Sequence, residues 1–353
     1  MTNSCVRFEL LMNRAFVRHA PAYAVLCFFL LCGPAARANW FDQGPLLSIS
    51  EENDAFLNSD RYYTQGLRFT YLHSDNHLPD WMRSVSDAIP AFGYTVHALR
   101  IGTQVGQDIY TPDEINTNGF RLNERPYAGW LYTGFILQRK GRTDGGRPVL
   151  ENFQMDIGII GPASLADETQ AWAHNDRSHI LGKWTDQLKN EPGLALKYQR
   201  SVLFSPGAEG EARHFDFIPH AGFSLGNVEI SLRAGGLVRA GFHLPDDFGP
   251  QTIHSLASPS GGRSPGQKNG RHGFYAFLSA EGRAVAYNAF LDGNLWKPSP
   301  HVTKEPLVGE FTGGVTAIFP YCELAAFAAY RTHEFTLQET RAAYAGLTLK
   351  FKL

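Results

Sequence analysis

The chain lacks any apolar run long enough to cross a bilayer as a helix, which takes roughly 20 residues. It also has little cysteine, four in 353 residues, and Cys5, Cys27 and Cys32 all fall within positions 1–38. That stretch reads as a secretory leader. Arg14, Arg18 and His19 give a basic start, 22–31 is apolar and uncharged, and Ala36-Arg37-Ala38 suits a small-x-small cleavage site. The basic start is long, and Met12 is an alternative initiator. A lipoprotein reading through Cys27 or Cys32 is disfavoured, because Leu26 and Leu31 stand where a small residue is expected. Removing the leader leaves residues 39–353 as one domain with Cys322 alone. No internal disulfide is therefore expected, although export leads to a compartment where disulfides persist. Charge of one sign is lacking too: 32 basic against 34 acidic residues give a net charge of -2, which argues against a nucleic-acid partner. Neither Ser-His-Asp nor Cys-His chemistry is signalled, and the two-histidine zinc helix motif is missing. The pairs Gly235-Gly236 and Gly261-Gly262 lack the strand-loop-helix context of a phosphate cradle.

What is abundant is aromatic and small: 25 Phe, 14 Tyr and 35 Gly. An exported chain of this kind is either a soluble β-sandwich or an outer-membrane barrel. Segments of period-two alternation recur along it. Phe153, Met155, Ile157 and Ile159 oppose Asn152, Gln154, Asp156 and Gly158, and Leu347, Leu349 and Phe351 oppose Thr348, Lys350 and Lys352. Alternation alone fits both architectures. The barrel is favoured because the chain ends inside its last strand, because Arg68, Arg100, Asp108 and Asp156 suit a hydrated lumen, and because Tyr62, Tyr63, Tyr110, Tyr127 and Trp130 cluster near strand ends. The expectation is an all-β fold, an antiparallel transmembrane barrel of about twelve strands. The strands would begin near Leu47, Leu67, Leu99, Gly129, Phe153, Leu194, Phe215, Val228, Phe274, Leu307, Leu324 and Ala343. One segment sits awkwardly: 243–271 would be a periplasmic turn, where turns are usually short. Its Gly/Ser/Pro-rich part, 255–270, reads as a mobile loop.

Chemistry concentrates in two places. Glu52-Asn53-Asp54 and Asp60-Arg61-Tyr62-Tyr63-Thr64 crowd oxygen ligands at the junction of two strands. This suits Ca²⁺, and it equally suits ordinary turn chemistry. Strand parity puts Asp54 and Thr64 on the face of Ser48, Ser50, Arg68 and Thr70, with Asn53 opposite unless the strand bulges there. The second place is the loop after the fifth strand, 161–174. Ser164 would cap a short helix with Asp167 at the capping-box position, placing Gln170 and His174 on one face. His179 competes with His174 for any catalytic role, and both also read as surface residues.

Taken together, Glu52-Asn53-Asp54, Tyr63-Thr64-x-Gly66, Gln107-Asp108-Ile109-Tyr110-Thr111-Pro112 and Glu124-Arg125-Pro126-Tyr127-Ala128-Gly129 resemble the outer-membrane lipid A 3′-O-deacylase family. Gly158-Ile159-Ile160-Gly161-Pro162-Ala163, His174, Trp184-x-x-Gln187-Leu188, Asn190-Glu191-Pro192 and Leu244-Pro245-Asp246-Asp247-Phe248-Gly249-Pro250 extend the likeness over nearly all of 39–353. The resemblance implies a twelve-stranded barrel with its active site near the outer rim, between the wall and a loop helix. It implies removal of the 3′-linked acyloxyacyl group of lipid A, with Ca²⁺ polarising the ester carbonyl and a histidine activating water. Carried across, Asn53 and Asp54 match the metal pair, and the catalytic residues are Asn53, the strand-two hydroxyl of Thr64, and His174 as the base. A lysine that some members carry has no clear counterpart near Thr117. Lipopolysaccharide and outer-membrane lipids are the implied partners, and a monomer is expected. The rivals are a non-catalytic barrel and a calcium-dependent phospholipase using the same groups. Arg68 and Arg125 are candidates for lipid A phosphates or for structural ion pairs.

Overall fold

The computed structural model describes residues 44–57, 61–74, 78–113, 124–173, 184–206, 213–250, 252–253, 259–260 and 272–353. Its twelve strands are β1 (Leu46–Asn53), β2 (Tyr62–Leu72), β3 (Tyr94–Thr111), β4 (Ala128–Thr143), β5 (Pro148–Ile160), β6 (Glu191–Val202), β7 (Phe215–Gly226), β8 (Glu229–Phe242), β9 (Gly273–Asn288), β10 (Leu307–Ile318), β11 (Cys322–Arg331) and β12 (Ala342–Lys352). Each is antiparallel to its sequence neighbours, and β1 pairs with β12 from Leu46↔Lys352 to Asn53↔Ala345, so the sheet is a closed barrel. Eleven of the expected starts lie in these strands and Val228 stands one residue before β8. β2, β3 and β5 begin five residues earlier than expected. In β2 the cause is visible: Tyr62, Tyr63 and Thr64 are all buried in succession, so alternation fails at that rim.

The connections at 73–93, 144–147, 203–214, 243–272 and 319–321 share one rim with the described chain ends, here the lower rim. Those at 54–61, 112–127, 161–190, 227–228, 289–306 and 332–341 form the upper rim. Among the described residues the connections carry three short α-helices: α1 (Asp80–Ala88), α2 (Ala166–Ala173) and α3 (Ala289–Asp292).

Period two assigns the two faces. Ser48, Ser50, Glu52, Arg68, Thr70, Arg100, Gln104, Asp156 and Lys350 are buried inward, while Phe69, Val105, Phe135, Ile157, Leu278 and Leu347 are exposed outward. An apolar exterior around a polar interior is the transmembrane arrangement. The inward charges are tolerated because they are paired. Arg239 bonds Asp216 at 2.7 Å and also Asp247, Lys350 lies 3.4 Å from both Asp247 and Glu323, and Arg331 joins Glu310 and Glu334.

The 243–272 connection does not hang below the barrel. Asp247 is gripped by Arg239 and Lys350, two inward-facing strand residues. Further along, Arg68 donates to Thr252 O at 2.7 Å and Ile253 O at 3.3 Å, the Ile253 N–H donates to Glu52, and Gln138 donates to Pro259 O at 3.1 Å. The described part of the segment thus re-enters the lumen, which removes the objection to a long lower-rim connection. Most of the expected mobile stretch, 255–270, lies outside the described residues.

Ile157 faces outward from the upper half of β5 and is exposed. Ile157→Arg should therefore weaken the barrel by roughly 2–4 kcal/mol if that position meets the bilayer midplane. Urea titration of vesicle-inserted protein measures this, and an unchanged folding free energy would refute the lipid-facing assignment of β5.

Candidate active site at the upper rim

β1 ends at Asn53, and Asp54–Leu57 forms one 3₁₀ turn. Asn53 Oδ1 accepts the Ala55 N–H at 2.7 Å, and Asp54 Oδ2 accepts the Arg61 N–H at 2.5 Å. Turn chemistry is therefore present at this pair. It does not exhaust the pair, because amide and carboxylate oxygens each carry a further lone pair. The donors are all oxygen and include one carboxylate, which fits a hard cation such as Ca²⁺ better than a thiolate- or imidazole-seeking metal. Among the described residues no group of three or more His, Cys, Asp or Glu side chains converges to hold a metal ion. Any further ligands would have to be backbone carbonyls, water or residues beyond those described.

β1 runs regularly through Asn53, which keeps the opposite parity expected of it, and the bulge at this rim lies on the facing strand. Between β2 and β3 the register runs Tyr63↔Tyr110 and then Gln65↔Ile109, leaving Thr64 as the extra residue. An inserted residue shifts side-chain parity locally. The Thr64 hydroxyl accordingly meets the Thr111 hydroxyl at 2.6 Å, and Thr111 shares the outward parity of Ile109 and Gln107. Asn53, paired with Gln65, has that outward parity too. The expectation that Thr64 faces the lumen is thus corrected: Asn53, Thr64 and Thr111 lie on the outer face of the wall, where Thr64 and Thr111 are buried.

The 161–190 connection covers the adjacent wall. Outward-facing Ile109 is buried in a cluster with Tyr127, Ala166 and Trp184. Gln107 Nε2 donates to Ser164 O at 2.6 Å. Gly129 makes the close approach possible: a Cβ there would stand 2.0 Å from Ser164 Oγ and 2.4 Å from Ala166 Cβ. Ser164 is not the helix cap. A 3₁₀ turn, Pro162–Ser164, comes first, Leu165 takes a left-handed conformation at φ 59°, and α2 starts at Ala166. On α2, burial and then Glu168 push the Asp167 carboxyl up from its ordinary range. Gln170, buried, accepts the Trp184 indole N–H at 2.9 Å. His174 follows Gln170 by four positions but, like His179 and Thr117, lies outside the described residues.

Other candidates resolve as structural. Arg68 is held by the lumen segment. Arg125 lies over the Tyr110 ring and pairs with Glu334 at 3.5 Å. Burial draws the Arg125 guanidinium down from its usual range, while Glu334 opposes that. Burial would raise Glu334, but Arg331 and Arg125 outweigh it and hold the carboxyl below its usual range. Asn190 accepts the Ala163 N–H at 2.7 Å and Glu191 accepts the Leu295 and Trp296 N–H groups at 3.1 Å, so this motif braces two upper loops. No serine chemistry was expected, but Gly222-Phe223-Ser224-Leu225-Gly226 does have nucleophile-elbow spacing; Ser224 is nonetheless buried inside β7 and not on a strand-helix turn. Thr111 and Gly129 were the members of the site that sequence alone did not single out. Their signal was the pair of motifs that contain them.

Gly129→Val should push α2 off the wall while leaving the barrel closed. Limited proteolysis within 161–190 should accelerate, with the gel mobility shift on heating unchanged. Parent-like proteolysis would show that Gly129 does not set the seat of α2.

A model of the family described as "Outer membrane protein LpxR" matches residues 24–353. A search of curated proteins found no match. Among solved structures, LpxR from Salmonella typhimurium is similar at a TM-score of 0.67 and 23% identity, covering 87% of this chain and 100% of that one. The transport unit of the autotransporter AIDA-I from Escherichia coli overlaps 92% of this chain and 94% of its own at 9% identity, but its TM-score is 0.32, too low to carry an argument. With the family model spanning nearly the whole length and the same barrel in a solved structure, the chain belongs to the outer membrane protein LpxR family, the lipid A deacylases.

Proposed function

We propose that the chain is a calcium-dependent esterase that releases the 3′-linked acyl chains of lipid A at the upper rim. The observation that supports this most is the placement of Asn53, Thr64 and Thr111 on the outside of the wall, beside α2, over a lumen occupied by its own chain. Lipid A keeps its acyl chains in the leaflet, so its ester can approach only from outside the barrel. A pore would need the reverse, an open lumen and an inert exterior. Closure within one chain supports action as a monomer, and the upper rim is assigned to the outer leaflet because lipid A resides there.

In this reading Asn53 Oδ1 and the Asp54 carboxylate hold Ca²⁺, which when bound supplies positive charge against the developing oxyanion. Between the Thr64 and Thr111 hydroxyls one proton is spent on their mutual bond, so the other remains to be donated to a substrate oxygen. His174 is the base: its neutral imidazole takes a proton from water as the water oxygen bonds to the carbonyl carbon. The carbon–oxygen ester bond then breaks, the fatty acid leaves, and the proton passes to the alkoxide left on lipid A. The seat on Gly129 keeps α2, the helix that precedes His174, against the wall.

Mass spectrometry of lipid A from cells making each variant tests this. His174→Ala should lower deacylation by at least ~10²-fold, and His179→Ala far less. Asp54→Ala should match the effect of a calcium chelator, and the chelator should add little once Asp54 is gone, because groups acting as one unit are non-additive. Undiminished activity in excess chelator, or in His174→Ala, would overturn the mechanism. Release of fatty acid from glycerophospholipid but not from lipid A would favour the phospholipase instead.

A further inference from the structure

α1 occupies the 73–93 connection of the lower rim, far from the candidate active site. Trp81, Val85 and Ala88 follow a four-then-three spacing, which aligns them on one stripe. Trp81 is 63% exposed, Val85 48%, and Phe92, just past the helix, 75%. A short helix showing water this much apolar surface needs a partner.

The way α1 is moored identifies that partner. Arg139 of β4 has the outward parity of Thr133 and Phe135, so it stands on the lipid side of the wall. Its guanidinium donates to Ser86 O at 3.1 Å, Ile89 O at 2.6 Å and Pro90 O at 3.2 Å, and to Glu151 at 2.9 Å. Arg200 donates to Phe92 O at 2.7 Å. Glu151 also accepts from Tyr94 at 2.5 Å and Tyr198 at 2.7 Å. Four charge-assisted bonds thus pin α1 and its trailing turn to the exterior of the barrel.

The level of this cluster follows from the strands. From Leu131 to Arg139 is eight residue steps along β4. At a rise of about 3.4 Å per residue and a tilt of about 40° they span about 21 Å, close to the about 25 Å height of an apolar barrel band. One row above Glu151 stand register-paired Phe153, Tyr198 and Phe223, with ring centroids 5.0 and 5.4 Å apart. An outward aromatic row at the foot of the band is the girdle that marks a bilayer boundary. α1 lies against the cluster just beneath it.

We infer that α1 is an interfacial anchor whose Trp81–Val85 stripe, with Phe92, docks into the head-group and acyl boundary of the phospholipid leaflet at the lower rim. The surface is continuous with the lipid-facing wall, and its charges, Asp80, Arg83 and Asp87, sum to -1. Apolar burial therefore drives the contact, unlike the lysine- and arginine-rich interfacial helices that depend on anionic lipid.

The test is a nitroxide at Val85→Cys, or at Trp81→Cys on the same stripe, in protein whose four native cysteines are serine, inserted in zwitterionic phospholipid vesicles. The ratio of oxygen to nickel-chelate accessibility should be several-fold above that of Asp144→Cys, in an exposed lower-rim turn, and near that of Phe223→Cys in the girdle. It should not change in molar salt. A ratio equal to that of Asp144→Cys would place the stripe in water and overturn the inference. Spin–spin broadening would show a second copy on the stripe and overturn it equally.

Discussion

Hydrogen bonding between β1 and β12 is the constraint on which the rest of this structure depends. A bilayer offers no water to satisfy a free sheet edge, so a spanning sheet must close on itself. Closure with strict alternation then leaves each strand one lipid-facing and one enclosed row. Twelve strands also enclose more space than wall side chains alone can fill, since about eight already give an interior that side chains just occupy. The chain fills the excess from below. Asp247, on the 243–272 segment, sits between Arg239 and Lys350, and Thr252 and Ile253 reach up to Arg68 and Glu52. Without that segment Arg239 and Lys350 would each keep only part of their compensation, Asp216 for one and Glu323 for the other.

With the lumen occupied, the proposed site faces outward, and a single inserted residue contributes to it. Regular alternation would have pointed Thr64 inward with Arg68 and Thr70. The bulge brings its hydroxyl to Thr111 on the outward row, beside a wall that Asn53 already faces. The positive φ of 69° at neighbouring Tyr62 belongs to the same irregular stretch of backbone.

Much of the fold was legible in the sequence because it rests on period two, which a one-dimensional string carries directly. Ile157, Arg68 and Lys350 all lie on the face their parity assigned. What escaped notice depends on three-dimensional neighbours. A bulge changes pairing by one residue without changing composition, so its location at Thr64 was not visible and parity alone placed Thr64 with Arg68. Gly129 reads as one glycine among 35, and its role appears only when Ser164 and Ala166 are seen against it. Ser164 carries a good capping residue type, but its seat on Gly129 takes the side chain away from the helix end. Arg139 and Glu151 break the apolar row of the exterior, and nothing in the string says that the carbonyls of 86–90 will cover one of them.

The two helices seated on the outer wall are held by different physics, and the difference matches their positions. α1 is pinned by charged side chains at the foot of the apolar band, where head groups and water temper the cost of an outward guanidinium. α2 is seated by shape on Gly129 and Ile109 and by neutral bonds through Gln107 and Gln170. Ser164 Oγ and Gln170 Nε2, both buried there, have no hydrogen-bond partner among the described residues. Neutral bonds are worth about half as much as charge-assisted ones, so α2 is the more easily shifted of the two. An anchor gains from the strong mooring. A helix beside the proposed lipid A site gains from the weaker one, because local opening draws on the least stable contacts first.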